Sequence, residues 1–257
     1  MSIKNCCNHR RLYLTLLGGL SLGIFTAAGV GATPLMRRPA AVRFSAGVAT
    51  ANLLVLFEPP TDEKVTDSRG GASRPTDVKC IHDETYDAPL TALVPQSGVG
   101  LTVASHPTLL AYVPPTQATQ AHLTLRDDAG QGLYQQVLPM PKTGGILQIA
   151  LPPESPELAV GQTYHWSLAL LCEPTQTDIP ITGGQIRRVE RSADMVNGSS
   201  LLSQAAAYGQ RGVWHDMLAS LATLRQTDPD YQGLNANWVE VLQAENLDAI
   251  AQAPLLN

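Results

Sequence analysis

The sequence predicts an α+β protein in which an N-terminal antiparallel β-sandwich is followed by a small C-terminal helical region. Between residues 80 and 192, short alternating apolar segments are separated by prolines and glycines, which is typical of antiparallel strands. Near Asn197 the apolar residues change to a period of about 3.6, which is typical of amphipathic helices. The chain of 257 residues holds 21 glycines and 19 prolines against 5% aromatic residues, a composition rich in turns. Because no helix-length pattern lies between the predicted strands, a parallel α/β sheet is disfavoured.

The first 32 residues have the features of a signal peptide. Lys4, Arg10 and Arg11 precede an apolar run over residues 12–30, which ends in small residues suited to cleavage. An uncleaved membrane anchor is the alternative, since the run is about long enough to span a bilayer. The paired arginines also resemble a weak twin-arginine signal. We therefore expect an exported protein, periplasmic or extracellular, with no membrane span after cleavage.

The charge of the chain disfavours one class of function. The formal net charge is -5 and no long basic run occurs, so nucleic-acid binding is disfavoured.

Residues 53–57 form a short apolar run that predicts an edge strand, stopped by two prolines. The patterns together divide the chain into a signal peptide (1–32), a leader and long loop (33–79), a β-sandwich (80–192) and a helical region (197–257).

The cysteines agree with export. Cys6 and Cys7 lie in the predicted signal peptide, which leaves Cys80 and Cys172 as an even pair in an oxidising compartment. We predict that these two form a disulfide; by loop entropy a closed loop of about 92 residues stabilises the chain by roughly 4–5 kcal/mol at most. The alternative is two buried free thiols. Two cysteines alone are too few for a structural zinc site.

The predicted sandwich is centred on the strand that ends at Cys172. Tyr164, Trp166 and Leu168 alternate with polar or small residues and lie on one face, which makes Trp166 a core residue. A turn of the hairpin type is predicted at residues 127–130. The other predicted strands lie near residues 90–95, 100–103, 108–113, 121–126, 133–138, 145–151 and 185–189.

The helical region is predicted from a second apolar pattern. Trp214, Met217, Leu218, Leu221 and Leu224 follow helical spacing, and Asp228-Pro229 ends that helix. A helix before it starts after a cap at residues 197–200, a helix after it contains Trp238, and a short fourth covers 247–251. We expect Tyr208, Trp214 and Trp238 to be buried in one helical core, built mainly from residues after Asn197.

The first two predicted helices resemble one tetratricopeptide unit. The first large aromatic residue of that motif is Leu201 here, and two of its small positions hold larger residues. Because one such unit cannot bury its own face, it must pack on the Trp238 helix or on the sandwich. The residues at the spacings of the motif are Leu201, Ala205, Tyr208, Met217, Leu221, Leu224 and Pro229.

Six ordered segments resemble the exported family known as domain of unknown function 928, common in cyanobacteria. The resemblance implies export and two parts, β followed by helical, but no activity and no catalytic residues. The family commonly has an aromatic residue where this chain has Gln185. The segments are residues 70–74 before Cys80, 90–95, 106–114, 160–172, 184–189 and 208–216 continuing to Trp238.

Four polar groups are candidates for chemistry, and each has a plainer interpretation. His82-Asp83-Glu84 is a candidate metal or acid–base cluster but is typical of a solvated loop. His106 precedes a proline, as in a turn. His122 and His165 face outward and could pair around a metal if their strands were neighbours. His215 and Asp216 are placed on the polar face of their helix, where adjacent residues point about 100° apart.

The arginines at 187, 188 and 191 are interpreted as guards of an edge strand rather than an anion site. No catalytic, cofactor-binding or metal-binding residue is assigned. The sequence favours a non-catalytic envelope protein or interaction module that binds another envelope protein, and an enzyme is disfavoured. The alternative is a hydrolase or carbohydrate-binding module using polar residues of the sandwich. A convergent pocket lined by His82, Asp83 or His165 would favour that alternative.

Overall fold

The computed structural model describes residues 53–60, 88–172, 179–196 and 200–256. Within these residues the chain forms an α+β fold, with nine strands in two sheets, three α-helices and two short 3-10 helices, at Ala193–Val196 and Asp248–Ile250. The α-helices are Leu201–Gly209 (α1), Trp214–Thr227 (α2) and Leu234–Ala244 (α3). The strands are Thr91–Ala92 (β1), Val99–Thr102 (β2), Thr108–Val113 (β3), Gln120–Asp127 (β4), Gly132–Pro139 (β5), Gly145–Ala150 (β6), Thr163–Leu171 (β7), Ile181–Arg188 (β8) and Leu255–Leu256 (β9).

Strand pairing is mostly antiparallel, but not entirely as the sequence predicted. One sheet has the order β1-β3-β6-β9 and the other has the order β2-β8-β7-β4-β5. The pairs β2–β8 and β6–β9 are parallel. Each of these pairs is joined by a long stretch of chain, which is the connection that parallel pairing needs. Tight hairpins, by contrast, enforce antiparallel pairing, as between β4 and β5.

The hairpin between β4 and β5 forms at the predicted turn. Gly130 has a φ of 82°, a left-handed conformation that glycine adopts without a Cβ penalty. Its N–H donates to the Asp127 carbonyl at 3.0 Å, and the Gln131 N–H donates to the Asp127 carboxylate at 2.8 Å. Asp127 therefore closes the turn with both its backbone and its side chain.

β3 is buried on both faces and connects two hydrophobic clusters. Leu109, Ala111 and Val113 contribute to a cluster that also contains residues of the five-stranded sheet, including Trp166 on β7. Leu110 and Tyr112, which alternate with these residues, point the other way, into a cluster formed largely by the helices. The alternation along this single strand therefore ties the two sheets to each other and to the helices.

The helices begin and end where local sequence directs. The Ser200 hydroxyl accepts from the Ser203 N–H at 3.2 Å and the Ser203 hydroxyl accepts from the Ser200 N–H at 3.0 Å, a reciprocal cap for α1. α2 ends at Thr227, before Asp228 and the proline that follows it. The predicted short fourth helix is a single 3-10 turn, Asp248–Ile250.

The helical core is shared with the sheets. Trp214 and Trp238 are fully buried and Tyr208 nearly so, and most of their cluster follows Asn197. The same cluster also includes Leu110 of β3 and Ile146 of β6. The helices therefore bury their apolar surface against β-sheet residues as well as against one another, and they have no separate core of their own.

Residues 53–60 do not form the predicted edge strand. The Val55 N–H donates to the Asn237 side chain, whose amide donates in turn to the Leu53 carbonyl at 3.1 Å. The Glu58 N–H donates to the Gly209 carbonyl at 3.0 Å. The backbone groups of this segment bond to a side chain and to the end of a helix, and the segment forms no ladder with any strand of the described residues.

Several predictions fall on parts of the chain outside the described residues. They concern the signal peptide, the leader, the loop with His82-Asp83-Glu84, and Cys80. Cys172 itself follows β7 and is half-buried. Because Cys80 lies outside the described residues, the disulfide between the two stays a prediction. All the described residues belong to one unit, residues 49–257. None of the helices described is both long enough and apolar enough to cross a membrane.

Candidate functional site

An open cleft of about 670 Å³ lies between the connection from β2 to β3 and the end of β8. Residues 103–106 form one wall and residues 188–191 form the other, and Val160 lines the cleft beside Arg188. The cleft is broad and shallow, which suits an extended segment of another molecule better than an enclosed small substrate.

Asp216, in the first turn of α2, fixes the first wall of the cleft. Its carboxylate accepts from the Thr102 hydroxyl at 2.7 Å and from the Val103 N–H at 3.1 Å. The Thr102 hydroxyl in turn accepts from the Ala104 N–H at 3.1 Å. One carboxylate thus holds the last residue of β2 and the first two residues of the wall, Val103 directly and Ala104 through the threonine.

Burial raises the pKa of Asp216, because the protein replaces the water that would solvate its charge. The hydrogen bonds from Thr102 and Val103, and the positive charge of Arg191, oppose this shift. The pKa of Tyr208 is also raised, first by burial and then by the negative charge of Asp216. Asp216, Arg191 and Tyr208 therefore influence one another electrostatically beside the cleft.

His215 is sealed behind the cleft and is not on a polar face, so the sequence prediction for this pair was wrong. The side chain is 1% exposed, and neither ring nitrogen has a hydrogen-bond partner among the described residues. Burial lowers the pKa of His215 to about 3, so the ring is neutral at physiological pH. The pattern misled because α2 packs against α1 on one side and β2 on the other, which buries both His215 and most of Asp216.

Gly100 on β2 makes room for the imidazole of His215. A Cβ at this position would overlap the ring at Nε2 and Cδ2. The absence of a side chain on this strand residue therefore allows the first turn of α2 to approach β2 closely.

The second wall of the cleft carries Arg188 and Arg191, two of the three arginines that were interpreted from the sequence as guards of an edge strand. That interpretation was wrong, because β8 lies between β2 and β7. An Nη1 of Arg188 donates to the Leu158 carbonyl at 2.7 Å, which holds this side chain in place. Arg191 is exposed, and it makes no hydrogen bond or ion pair with any of the described residues. Glu190 is the acidic residue of this wall.

The remaining candidate histidines do not converge. The Nε2 of His106 lies 3.0 Å from the carbonyl oxygen of Ser155. This hydrogen bond ties His106, a residue of the cleft, to a neighbouring turn. On the exposed surface, the Nε2 of His165 lies 3.1 Å from the Oδ1 of Asp128. The strands of His122 and His165 are neighbours, but His122 lies opposite Ala169 and His165 opposite Arg126, so the two histidines do not face each other. Within the described ranges no three His, Cys, Asp or Glu side chains lie close enough to hold a metal.

Sequence reasoning missed the residues of β2 that contact His215 and Asp216. Thr102 and Gly100 appeared only as part of a predicted strand, and their spacing gives no sign that a helix lies against them. A small residue, Gly100, followed two positions later by a hydroxyl residue was the one local signal available.

We expect Asp216→Ala to lower the free energy of unfolding by about 1–3 kcal/mol, since it leaves the Thr102 hydroxyl and the Val103 N–H without their acceptor. Asp216→Asn is the matched control, because its carbonyl oxygen can accept both bonds without a buried charge; it should change stability by less than about 1 kcal/mol. Urea unfolding at neutral pH measures both. Equal stability of the alanine variant and the wild type would contradict this role of Asp216.

We expect Gly100→Ala to destabilise the protein by about 1–3 kcal/mol, because the new methyl group overlaps a buried ring in a packed site. Combining it with His215→Ala should restore part of this loss, since the overlapping ring is then absent. A double-mutant cycle measured by thermal unfolding gives the coupling between the two positions. Purely additive effects would show that the methyl group and the ring do not meet.

Comparison with known proteins gives a family match and distant structural likenesses. The family described as Domain of Unknown Function (DUF928) matches residues 69–255, which is more than half of the chain. No curated protein gives a significant match.

Among solved structures, CopC from Methylosinus trichosporium OB3b is 16% identical over 40% of this chain and 98% of that chain, with a TM-score of 0.25. The fn3 domain of human collagen alpha-1(XX) chain is 12% identical over 45% of this chain and 92% of that chain, with a TM-score of 0.26. At these TM-scores neither likeness bears on the function of this chain.

Proposed function

The chain belongs to the family described as Domain of Unknown Function (DUF928), and from that premise we propose that it is an exported, non-catalytic interaction module. In this proposal the cleft beside α2 binds a segment of another envelope protein. The basic and apolar order of residues 1–32 supports export.

The observation that carries the proposal is the contrast between a sealed histidine and an open, fixed cleft. His215 and Asp216 are the adjacent pair most similar in type to a general base and its orienting acid. His215 is 1% exposed, so a substrate cannot reach it. The Asp216 carboxylate accepts hydrogen bonds from Thr102 and from Val103 of the cleft wall. In this proposal Asp216 positions the wall, and the wall is preformed for binding.

The finer architecture is part of the same proposal. We infer a β-sandwich, supported by the cluster that draws side chains from both sheets. We infer a tetratricopeptide-like pair for α1 and α2, supported by the burial of Tyr208 and Leu221 in one cluster. A disulfide between Cys80 and Cys172 would suit an exported chain.

The hydrolase or carbohydrate-binding alternative has no supporting observation among the described residues. It required a convergent polar pocket containing His82, Asp83 or His165. His165 instead lies on the exposed surface beside Asp128, and the other two are outside the described residues.

Affinity capture from an envelope extract tests the proposal, with Arg191→Glu as the probe variant. Arg126→Glu is the matched control, because Arg126 is also an exposed arginine but lies on β4, away from the cleft. We expect wild type and Arg126→Glu to retain one and the same protein, and Arg191→Glu to lose it. Equal capture by both variants, or no specific capture by the wild type, would contradict binding at the cleft.

A further inference from the structure

The two sheets have four edges in the described part of the chain, and three of them are protected. β1 and β9 are strands of two residues, too short to template another chain. β2 is buried along its whole length and is covered by the first turn of α2. β5 differs from these three: it is eight residues long, and β4 is its one partner among the described residues.

β5 lacks the usual devices that keep an edge strand from pairing. It contains no charged residue, and its single proline is its last residue. The register shift in the β4–β5 pair lies at the hairpin end, so residues 134–138 are regular. Alternate N–H and C=O groups along these residues point away from β4. Val137, at the middle of this edge, is 50% exposed.

The two ends of β5 carry opposite charge. Asp127 and Asp128 lie in the hairpin before the strand, and Lys142 lies just after it. Arg126 of β4 and His165 of β7 also lie at the acidic end, where the His165 Nε2 is 3.1 Å from one Asp128 carboxylate oxygen. An edge that is neutral in the middle, acidic at one end and basic at the other is complementary to itself when it is turned end for end.

We propose that β5 is a self-association edge, where a second copy of this chain adds its own β5 in antiparallel orientation. In a two-fold pair centred near Gln136, the Tyr134 of each copy lies opposite the Leu138 of the other. No charged residues face one another along the strand, and aromatic–aliphatic pairs of this kind stabilise sheets. Lys142 is six residues after the centre and Asp128 eight before it, so each lysine lies beside the acidic hairpin of the other copy.

The resulting sheet is continuous across the two copies, with β5 changed from an edge to an interior strand. The contact involves one short strand from each copy, which is smaller than the interface of a permanent dimer. The association is therefore reversible and depends on protein concentration. This proposal is independent of the function proposed for the cleft, which lies at the other side of the five-stranded sheet beside β2 and β8.

Sedimentation velocity of the purified protein over a range of concentrations tests the pairing. We expect a reversible monomer–dimer equilibrium for the wild type and a dissociation constant raised roughly tenfold or more by Val137→Lys, since a lysine in the middle of an edge strand opposes pairing. Ile181→Lys is the matched control: Ile181 is 42% exposed in the same sheet but on an interior strand, and its substitution should leave the equilibrium unchanged.

A charge exchange separates the proposed geometry from other modes of association. Lys142→Glu should weaken the dimer, and combining it with Asp128→Lys should restore it, because each new glutamate then lies beside a new lysine of the other copy. A wild type that stays monomeric, a dimer insensitive to Val137→Lys, or irreversible aggregation in place of a dimer would each overturn the proposal. A charge exchange that fails to restore the weakened dimer would overturn the antiparallel arrangement.

Discussion

Replacing Trp214 by alanine is expected to lower the free energy of unfolding by about 3–5 kcal/mol, the usual loss for a buried large aromatic side chain. Trp214 is fully buried and its ring packs against Phe57 with centroids 4.8 Å apart. Its indole N–H donates to the Leu93 carbonyl at 2.8 Å, so the side chain joins α2 to the segment after β1. The loss is a large share of the 5–15 kcal/mol that stabilises a typical domain.

The structure also changes what should unfold. The sequence analysis expected the helices to have a core of their own, in which case the β part would survive this substitution. Because Leu93, Leu110 and Ile146 share the cluster of Trp214, we expect helices and sheets to lose protection together. Limited proteolysis of Trp214→Ala measures this, and Trp214→Phe is the control that keeps most of the packing. A protease-resistant β fragment would contradict a shared core.

Acidification is expected to destabilise the protein steeply through His215. Burial lowers its pKa in the folded protein to about 3, whereas an unfolded histidine has a pKa of about 6.5. Below pH 6.5 the unfolded chain takes up a proton that the folded chain does not, so stability is full above this pH and falls as the pH decreases. The slope approaches about 1.4 kcal/mol per pH unit well below pH 6.5, and the loss between pH 6.5 and 4.5 is roughly 2–2.5 kcal/mol.

His215→Leu separates this effect from the titration of other groups. Leucine fills a similar volume without two buried nitrogens that lack partners, so stability at pH 7.5 should be equal or higher. Urea unfolding at several pH values should then show a slope between pH 6 and 4 that is flatter by about 1.4 kcal/mol per pH unit. An unchanged slope in His215→Leu would show that His215 is accessible to protons in the folded protein.

Much of the fold could be predicted from local patterns in the sequence. The alternation around Trp166, the turn at Asp127 and the periodic residues of α2 each act within a few residues, and the structure has a strand, a turn and a helix at these places. Burial of Trp214 and Trp238 likewise follows from their positions on apolar faces.

The cleft could not be predicted, because it depends on which elements meet. Asp216 and Thr102 are far apart in the sequence, and their hydrogen bond follows from the packing of α2 on β2. The same packing buries His215, which a helical pattern alone places on a polar face. The parallel pairing of β2 with β8 is also a result of tertiary arrangement, since no turn between the two strands enforces it.

The most direct test of this account is native-state hydrogen exchange, because its central claim is that the helices and the sheets form one folding unit, at whose junction Asp216 fixes the cleft. Amide exchange in increasing, sub-denaturing urea gives the free energy of opening for each element. We predict that the slowest amides of α2 around Leu218 and those of β3 around Leu110 open with the same free energy and the same dependence on urea. If α2 opened at a much lower free energy than β3, the helical region would be a separate unit, and the cleft wall held by Asp216 would not be preformed.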